Sequence, residues 1–101
     1  MKLRYFYDPG SGVCLWAGDD EAREKYGYPI LLDALPLSES VVSIGQELIE
    51  RFDTSIDWEY PSNPSPWTDE ERNKFKNDCT RFRTQVVKEL GPNYIIKNET
   101  K

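Results

Sequence analysis

Residues 3–17 read L-R-Y-F-Y-D-P-G-S-G-V-C-L-W-A and set the architecture of the chain. Two runs rich in aromatic and other apolar residues, 3–8 and 12–17, have the composition and length of β-strands. Between them Pro9 supplies a fixed φ and Gly10 tolerates a positive φ, as a tight reversal requires. The stretch therefore predicts an N-terminal β-hairpin.

Two helices are predicted after this hairpin. The acidic segment 19–27 predicts a helix of about two turns, because Asp19 or Asp20 can cap its start and Gly27 can end it. Ser38 predicts the cap of a second helix that runs to about residues 53–56. Within it Gly45 costs about 1 kcal/mol relative to alanine, which indicates close packing. The apolar residues of the second helix recur at helical spacing: Val41, Ile44, Leu48, Ile49, Phe52 and Ile56.

Two proline-containing segments separate the helices from their neighbours. Residues 28–37 have proline near both ends, so we expect a packed connector that seals one edge of the core. Residues 58–67 contain three prolines and three aromatic residues, so we expect an extended loop with polyproline character. Among the aromatic residues of this loop, Trp67 is expected to be more buried and Tyr60 more exposed.

The third helix has the clearest predicted boundaries. Thr68 and Glu71 form a capping box at its start, and Gly91 followed by Pro92 ends it. Its apolar stripe has spacings of three and four residues: Phe75, Cys79, Phe82, Val86 and Leu90.

These elements predict one α+β domain that spans residues 1–101. Residues 93–97 read N-Y-I-I-K and predict a short C-terminal strand. The expected order is ββαααβ, with a small antiparallel sheet formed by the N-terminal hairpin and the C-terminal strand. The three helices are expected to pack on one face of this sheet, and the length suits a single core.

The composition argues against an enzyme. The chain has 101 residues, 13 basic and 18 acidic side chains, no histidine, a net charge of −5 and a pI of about 4.7. Without histidine there is no Ser-His-Asp or Cys-His pair, and Cys14 and Cys79 alone cannot form a zinc site. The pattern of a calcium-binding loop is also missing. We therefore expect no catalytic residues, no metal and no cofactor.

The termini and the two cysteines bear on the compartment. The N-terminus has no apolar signal core, and no span approaches the roughly 18 apolar residues of a membrane helix. We therefore expect a cytoplasmic protein that does not associate with membranes. Cytosolic thiols usually stay reduced, so Cys14 and Cys79 are expected to be small core residues. A disulfide remains open if the fold brings them together.

The negative charge is concentrated in the middle of the chain. Residues 19–35 carry −3 and residues 36–67 carry −5, whereas residues 1–18 carry +1 and residues 68–101 carry +2. Carboxylates recur every three or four residues along the second helix and just beyond it, so we expect them on one side. Neighbouring carboxylates repel one another and do not stabilise a helix. We therefore interpret this stripe of carboxylates as a surface for a basic partner, with a merely solvated face as the alternative. The predicted partner-binding residues are Glu47, Glu50, Asp53, Asp57, Glu59 and Tyr60.

The basic residues of the third helix leave an alternative function open. Lys74, Arg81 and Lys88 are seven residues apart and could line one face of a nucleic-acid-binding regulator. The net charge of the chain and the acidic first turn of this helix argue against nucleic acid as a partner. The basic residues can instead form a face that keeps the protein soluble. A small adaptor protein is a third interpretation.

Four motifs in the chain resemble those of a group of small bacterial proteins. They are R-Y-F-Y-D-P-G-S-G-V-C-L-W at residues 4–16, Y-G-Y-P-I at 26–30, L-P-L-S at 35–38 and D-T-S-I-D-W-E-Y-P-S-N-P-S-P-W at 53–67. Together they resemble the immunity proteins of contact-dependent growth inhibition and related polymorphic toxin systems. The resemblance covers about two thirds of the chain and rests on aromatic and proline residues, not on a catalytic signature.

This resemblance implies a cytoplasmic, non-enzymatic protein that binds the toxin domain of its own system and blocks it. Toxins of such systems are often basic nucleases, which suits an acidic inhibitor. The resemblance does not indicate which residues contact the toxin, so the predicted site rests on the charge pattern alone. We therefore expect an immunity protein that covers the active or substrate-binding surface of a basic nuclease.

Overall fold

The sheet begins with the N-terminal hairpin. A computed structural model describes residues 1–100 and places strand β1 at Lys2–Tyr5 and strand β2 at Leu15–Ala17. The two strands are antiparallel, with Leu3 opposite Ala17. The predicted hairpin is confirmed, although its strands are shorter than the apolar runs in the sequence.

The C-terminal strand β4, Ile95–Asn98, extends the sheet on the other side of β1. It runs parallel to β1, with Ile96 next to Leu3, so the expected purely antiparallel sheet is wrong and the sheet is mixed. The direction of β4 follows from the position at which the third helix ends. The amide of Ile95 donates a hydrogen bond of 2.9 Å to the carbonyl of Met1, so β4 starts at the amino end of β1.

Part of the connector after the first helix forms a short strand that the sequence did not predict. Strand β3, Pro29–Ile30, pairs antiparallel with β2, and a 3-10 helix follows at Leu32–Ala34. The sheet order is β3-β2-β1-β4. The connector thus closes the β2 edge, as expected, but partly by strand pairing, which proline permits at an edge position.

The three helices begin and end where the sequence predicts them. Helix α1 spans Asp20–Tyr26, α2 spans Glu39–Asp53 and α3 spans Asp69–Leu90. The side-chain oxygen of the residue before each helix accepts a hydrogen bond from an amide of the first turn: Asp19, Ser38 and Thr68. The predicted order ββαααβ is confirmed, with β3 as an addition. Among residues 1–100, no helix combines the length and the apolar character that a membrane span needs.

Helices α2 and α3 cover the sheet face that carries Leu3 and Tyr5. The ring of Tyr5 lies 6.0 Å from the ring of Phe82 in α3. In α2, Ile44 is 45% exposed, contrary to its place in the predicted stripe, because it lines the open groove between the two helices. The whole predicted stripe of α3 is buried: Phe75, Cys79, Phe82, Val86 and Leu90.

Gly45 sets the distance between α2 and its neighbours. A Cβ atom at this position would lie 2.7 Å from Cζ of Phe82 and would also contact the side chain of Leu32. Real Cβ atoms do not approach other atoms so closely, so only glycine allows α2 to pack here. The close packing predicted from the glycine is confirmed.

Candidate functional site

Most of the predicted partner-binding residues meet at the carboxyl end of α2 and in the loop that follows it. Glu50 and Asp53 are three residues apart and are therefore neighbours on the helix surface. The indole Nε1 of Trp58 donates a hydrogen bond of 2.8 Å to the carbonyl of Asp53, which joins the loop to the helix. We call six residues the acidic–aromatic surface: Glu50, Asp53, Asp57, Trp58, Glu59 and Tyr60.

Glu47 is the one predicted residue that lies apart from this surface. Its Oε1 is 3.9 Å from Nη1 of Arg51, which donates a hydrogen bond of 2.9 Å to Asp78 of α3. Three residues fall about 60° short of a full helical turn, so carboxylates at this spacing wind around α2. The structure therefore places Glu47 at the contact between α2 and α3.

Asp53 links two parts of the fold. Its Oδ1 accepts a hydrogen bond of 3.0 Å from the backbone amide of Gly10 in the hairpin loop. A Cβ atom at Gly10 would lie 3.5 Å from the indole of Trp58, so this ring covers the same loop. The hairpin loop, the end of α2 and the Trp58 loop are therefore held together at one end of the molecule.

Asp57 organises the loop as a turn. Its Oδ1 accepts hydrogen bonds from the amides of Glu59 at 3.2 Å and Tyr60 at 3.1 Å, and its Oδ2 accepts one from Nδ2 of Asn63 at 3.3 Å. The bond from the Tyr60 amide, followed by that from Asn63, holds the pKa of the Asp57 carboxyl below its usual range.

The loop conformation corrects the expectation of an extended segment. The amide of Asn63 donates a hydrogen bond of 2.9 Å to the carbonyl of Tyr60, so the chain turns there. A carboxylate that accepts hydrogen bonds from several nearby backbone amides favours a turn over an extended polyproline conformation. The expectation is therefore wrong for residues 58–63.

Two aromatic side chains of the acidic–aromatic surface face solvent. Trp58 is 56% exposed and Tyr60 is 62% exposed. Trp58 was missing from the predicted site, although it stands beside Glu59 in the sequence, because a tryptophan in a proline-rich loop is equally suited to burial. Aromatic rings that are exposed and yet held in place are typical anchors of protein interfaces.

Trp67 has the opposite role. Its ring lies 5.0 Å from that of Phe75, and its Nε1 donates a hydrogen bond of 2.8 Å to Oγ1 of Thr54. It is partly buried against the core, whereas Tyr60 is exposed, so the expected difference between the two is confirmed.

The acidic–aromatic surface carries four carboxylates, and no lysine or arginine occurs in residues 52–71. The nearest preceding cation, Arg51, is directed toward Asp78. Repulsion among the carboxylates can be relieved by solvent counter-ions or by a basic partner. Within residues 1–100, no group of three or more cysteine, aspartate or glutamate side chains is placed to hold a metal ion. The arrangement of carboxylates beside exposed aromatic rings is suited to binding a basic partner.

The basic face of α3 is partly neutralised by the fold. Lys74 donates a hydrogen bond of 2.9 Å to Asp78, and Arg81 also pairs with this carboxylate, so both lie on one side of the helix. Hydrogen bonds from Lys74 and then Arg51 lower the pKa of Asp78 to about 2. The positive charges of Lys74 and Arg81 are thus partly neutralised within the protein. This argues against the alternative function as a nucleic-acid-binding regulator.

The cysteines are core residues away from the acidic–aromatic surface. Cys14 and Cys79 are both buried free thiols, as expected for small apolar side chains. Burial raises the pKa of each thiol. Sγ of Cys79 lies 3.6 Å from the hydroxyl of Tyr7, to which it can donate a weak hydrogen bond.

Comparison with known proteins identifies a family. No curated protein matches the sequence. A family model described as Serratia CdiI immunity protein-like matches residues 1–99. This match confirms the resemblance carried by the hairpin and by the Trp58 loop. The chain therefore belongs to the Serratia CdiI immunity protein-like family, a group of immunity proteins of contact-dependent growth inhibition.

Proposed function

We propose that this immunity protein binds the toxin domain of its own system through the acidic–aromatic surface and neutralises it without catalysis. The observation that carries the proposal is the combination of exposed Trp58 and Tyr60 with two exposed carboxylates, Glu50 and Glu59, whose side chains form no ion pair within residues 1–100. Aromatic anchors supply most of the affinity in protein interfaces, and surface charge speeds encounter and orients the partner.

The toxin of this proposal is a basic nuclease. Four carboxylates in a segment without cations complement a surface that binds phosphates, so they would occupy the positions of the substrate backbone. Covering that surface excludes nucleic acid from the toxin. We place this action in the cytoplasm, where a nuclease toxin meets its substrate.

The rigidity of the surface supports a preformed binding site. Oδ1 of Asp53 accepts a hydrogen bond from the Gly10 amide, and Oδ1 of Asp57 accepts hydrogen bonds from the amides of Glu59 and Tyr60. The Asp53 carbonyl accepts a hydrogen bond from the indole of Trp58. These bonds fix the positions of the loop residues. Ordering a loop before binding reduces the entropy lost on association. In this proposal Asp53 and Asp57 shape the surface. Four other residues contact the toxin: Glu50, Trp58, Glu59 and Tyr60.

Charge reversal at exposed carboxylates of the surface tests the proposal. The double variant Glu50→Lys and Glu59→Lys is compared with Glu24→Lys and Asp33→Lys, which changes the net charge equally at exposed positions elsewhere. Association with the cognate toxin domain is measured at low and high salt, together with protection of cells that express the toxin.

We expect the first variant to associate at least about tenfold more slowly, to lose salt dependence and to protect poorly, while the second resembles the parent. Equal binding and protection by the two variants would show that the toxin contacts another surface. The nuclease assignment is tested separately with the purified toxin domain. If that domain leaves DNA and RNA intact, the toxin class is wrong even if the binding surface is correct.

A further inference from the structure

A second and oppositely charged feature lies beside the loop that precedes α3. A cavity of about 890 Å³ opens between α3 and the carboxyl ends of β1 and β4, and Trp67 of the loop contributes to its wall. None of the residues of the acidic–aromatic surface lines it. We call this cavity the basic groove. Its volume lies within the range of sites that bind small ligands or peptide side chains.

The rim of the groove contains four cations and one carboxylate: Arg4, Arg72, Lys76, Arg83 and Glu99. Two of these cations have partners. Nη2 of Arg4 donates a hydrogen bond of 3.0 Å to Glu99, and Arg72 pairs with Asp69.

Lys76 and Arg83 are the uncommitted cations of the groove. Neither side chain makes a hydrogen bond or ion pair with any residue from 1 to 100, although Arg83 is half-buried. A half-buried guanidinium without a partner is poised to bind an anion, because its five donors remain available. The two residues are seven apart on α3, so about 10 Å separates them along the helix axis. Two carboxylates at separate positions of one ligand can therefore pair with one cation each.

The floor of the groove is apolar. The ring of Tyr7 lies 5.1 Å from that of Phe52 and 5.3 Å from that of Phe75. Trp67 packs against Phe75 from another side. These rings pack on one another and form an apolar depression in the floor of the groove.

We propose that the basic groove binds an acidic peptide segment that carries an apolar side chain. Carboxylates of the segment pair with Lys76 and Arg83, and the apolar side chain enters the floor beside Trp67. The combination of separated cations and an apolar floor fits an extended peptide, which can place charge and bulk at different positions.

A polynucleotide fits the groove less well. Its phosphates follow one another without interruption and would pass the acidic first turn of α3, where Asp69, Glu70 and Glu71 lie. A peptide can carry carboxylates only where the groove has cations. This inference goes beyond the proposed function, because the groove and the acidic–aromatic surface have opposite charge and take different partner segments.

Chemical-shift mapping of the isotope-labelled full chain tests the proposal. The probe is a synthetic decapeptide in which Asp and Glu alternate with Leu and Phe, and the control is the same peptide with Asn and Gln at the acidic positions. A ten-nucleotide single strand of thymidines is a third ligand. We expect the acidic peptide to shift the amides of residues around Lys76, Arg83 and Trp67, and the control peptide to shift them at least fivefold less.

Charge-reversal variants complete the test. Lys76→Glu with Arg83→Glu should weaken binding of the acidic peptide at least tenfold. If this variant does not fold, the neutral pair Lys76→Gln with Arg83→Gln replaces it and should also weaken binding. Lys25→Glu with Lys88→Glu, which has the same net charge as the first variant, should bind like the parent. The proposal is overturned if the thymidine strand shifts the groove more strongly, if the acidic peptide binds elsewhere or not at all, or if both charge-changed pairs bind alike.

Discussion

The backbone amide of Gly10 donates a hydrogen bond of 3.0 Å to the Asp53 carboxylate across 43 residues of sequence. This bond ties the loop of the N-terminal hairpin to the end of α2. Asp53 attracts attention in the sequence as one member of an acidic stripe, but in the fold it is a structural link that helps to build the acidic–aromatic surface. Its charge and its hydrogen bond can therefore be separated by mutation.

The first prediction separates these two roles at Asp53. Asp53→Ala removes the acceptor of the Gly10 amide and should lower the free energy of unfolding by about 1 kcal/mol. Asp53→Asn keeps an acceptor oxygen and should change it by less than about 0.5 kcal/mol, since the lost charge lies at a helix C-terminus where it is unfavourable. Urea unfolding measures both. Equal losses in the two variants would mean that the charge, and not the acceptor, stabilises the fold.

The second prediction concerns the contact of Gly45 with Phe82. Alanine normally stabilises a helix by about 1 kcal/mol relative to glycine. At Gly45 the added methyl group would lie 2.7 Å from Cζ of Phe82, so Gly45→Ala should instead destabilise the protein by about 1 to 3 kcal/mol. Ser43→Ala, at an exposed position of the same helix, is the control and should be neutral or stabilising. A Gly45→Ala variant as stable as the parent would show that α2 can shift without cost.

Helix boundaries could be predicted because their signals are local. Thr68 and Glu71 satisfy each other within one turn, so four adjacent residues contain the whole capping box. The direction of β4 could not be predicted in this way. It depends on α3 ending beside Met1, a relationship between residues at opposite ends of the chain. Strand β3 was missed because Pro29 is a poor strand residue except at a sheet edge, and the edge itself is a tertiary feature.

The candidate site was predicted in composition but not in geometry. Charge periodicity identified the acidic segment. It could not distinguish Asp57, whose Oδ1 accepts hydrogen bonds from two backbone amides, from Glu59, whose side chain faces solvent. The exposure of Trp58 depends on the turn that Asp57 organises and on the hydrogen bond to Asp53. The uncommitted Lys76 and Arg83 became recognisable only when the structure placed them beside an apolar cavity.

The third prediction contrasts two aromatic residues of the same loop. Tyr60 is 62% exposed and its hydroxyl makes no hydrogen bond within residues 1–100, so Tyr60→Ala should leave stability within about 0.5 kcal/mol of the parent. It should weaken toxin binding at least about tenfold, mainly through faster dissociation. Trp67→Ala removes the packing on Phe75 and should cost about 2 to 3 kcal/mol of stability. Thermal unfolding and binding kinetics separate the two effects, and a destabilised Tyr60→Ala protein would contradict the assignment of Tyr60 as a contact residue.

The fourth prediction uses the pH dependence of Asp78. Hydrogen bonds from Lys74 and Arg51 favour its charged form and lower its pKa to about 2 in the folded state, compared with about 3.9 in an unfolded chain. A lowered folded-state pKa means that the contribution to stability is complete above about pH 5 and is lost as the pH falls toward 2. Asp78→Asn should therefore be less stable than the parent by about 1 kcal/mol at pH 7, and the difference should disappear near pH 2. A difference that stays constant between pH 7 and pH 2 would show that packing of the side chain, and not its charge, is responsible.

The fifth prediction follows from the burial of the two thiols. Cys14 is 0% exposed and Cys79 is 7% exposed, and burial raises the pKa of both, so both should react with iodoacetamide at pH 8 about a hundredfold more slowly than in urea. Cys79 lines the basic groove, whereas Cys14 belongs to the hairpin and is fully buried, so Cys79 should be alkylated first. Single Cys14→Ser and Cys79→Ser variants assign the rates. Because a peptide seated in the groove would cover Cys79, the acidic decapeptide should slow its alkylation further and leave Cys14 unchanged. Fast labelling of either thiol in the native protein would contradict its place in the core.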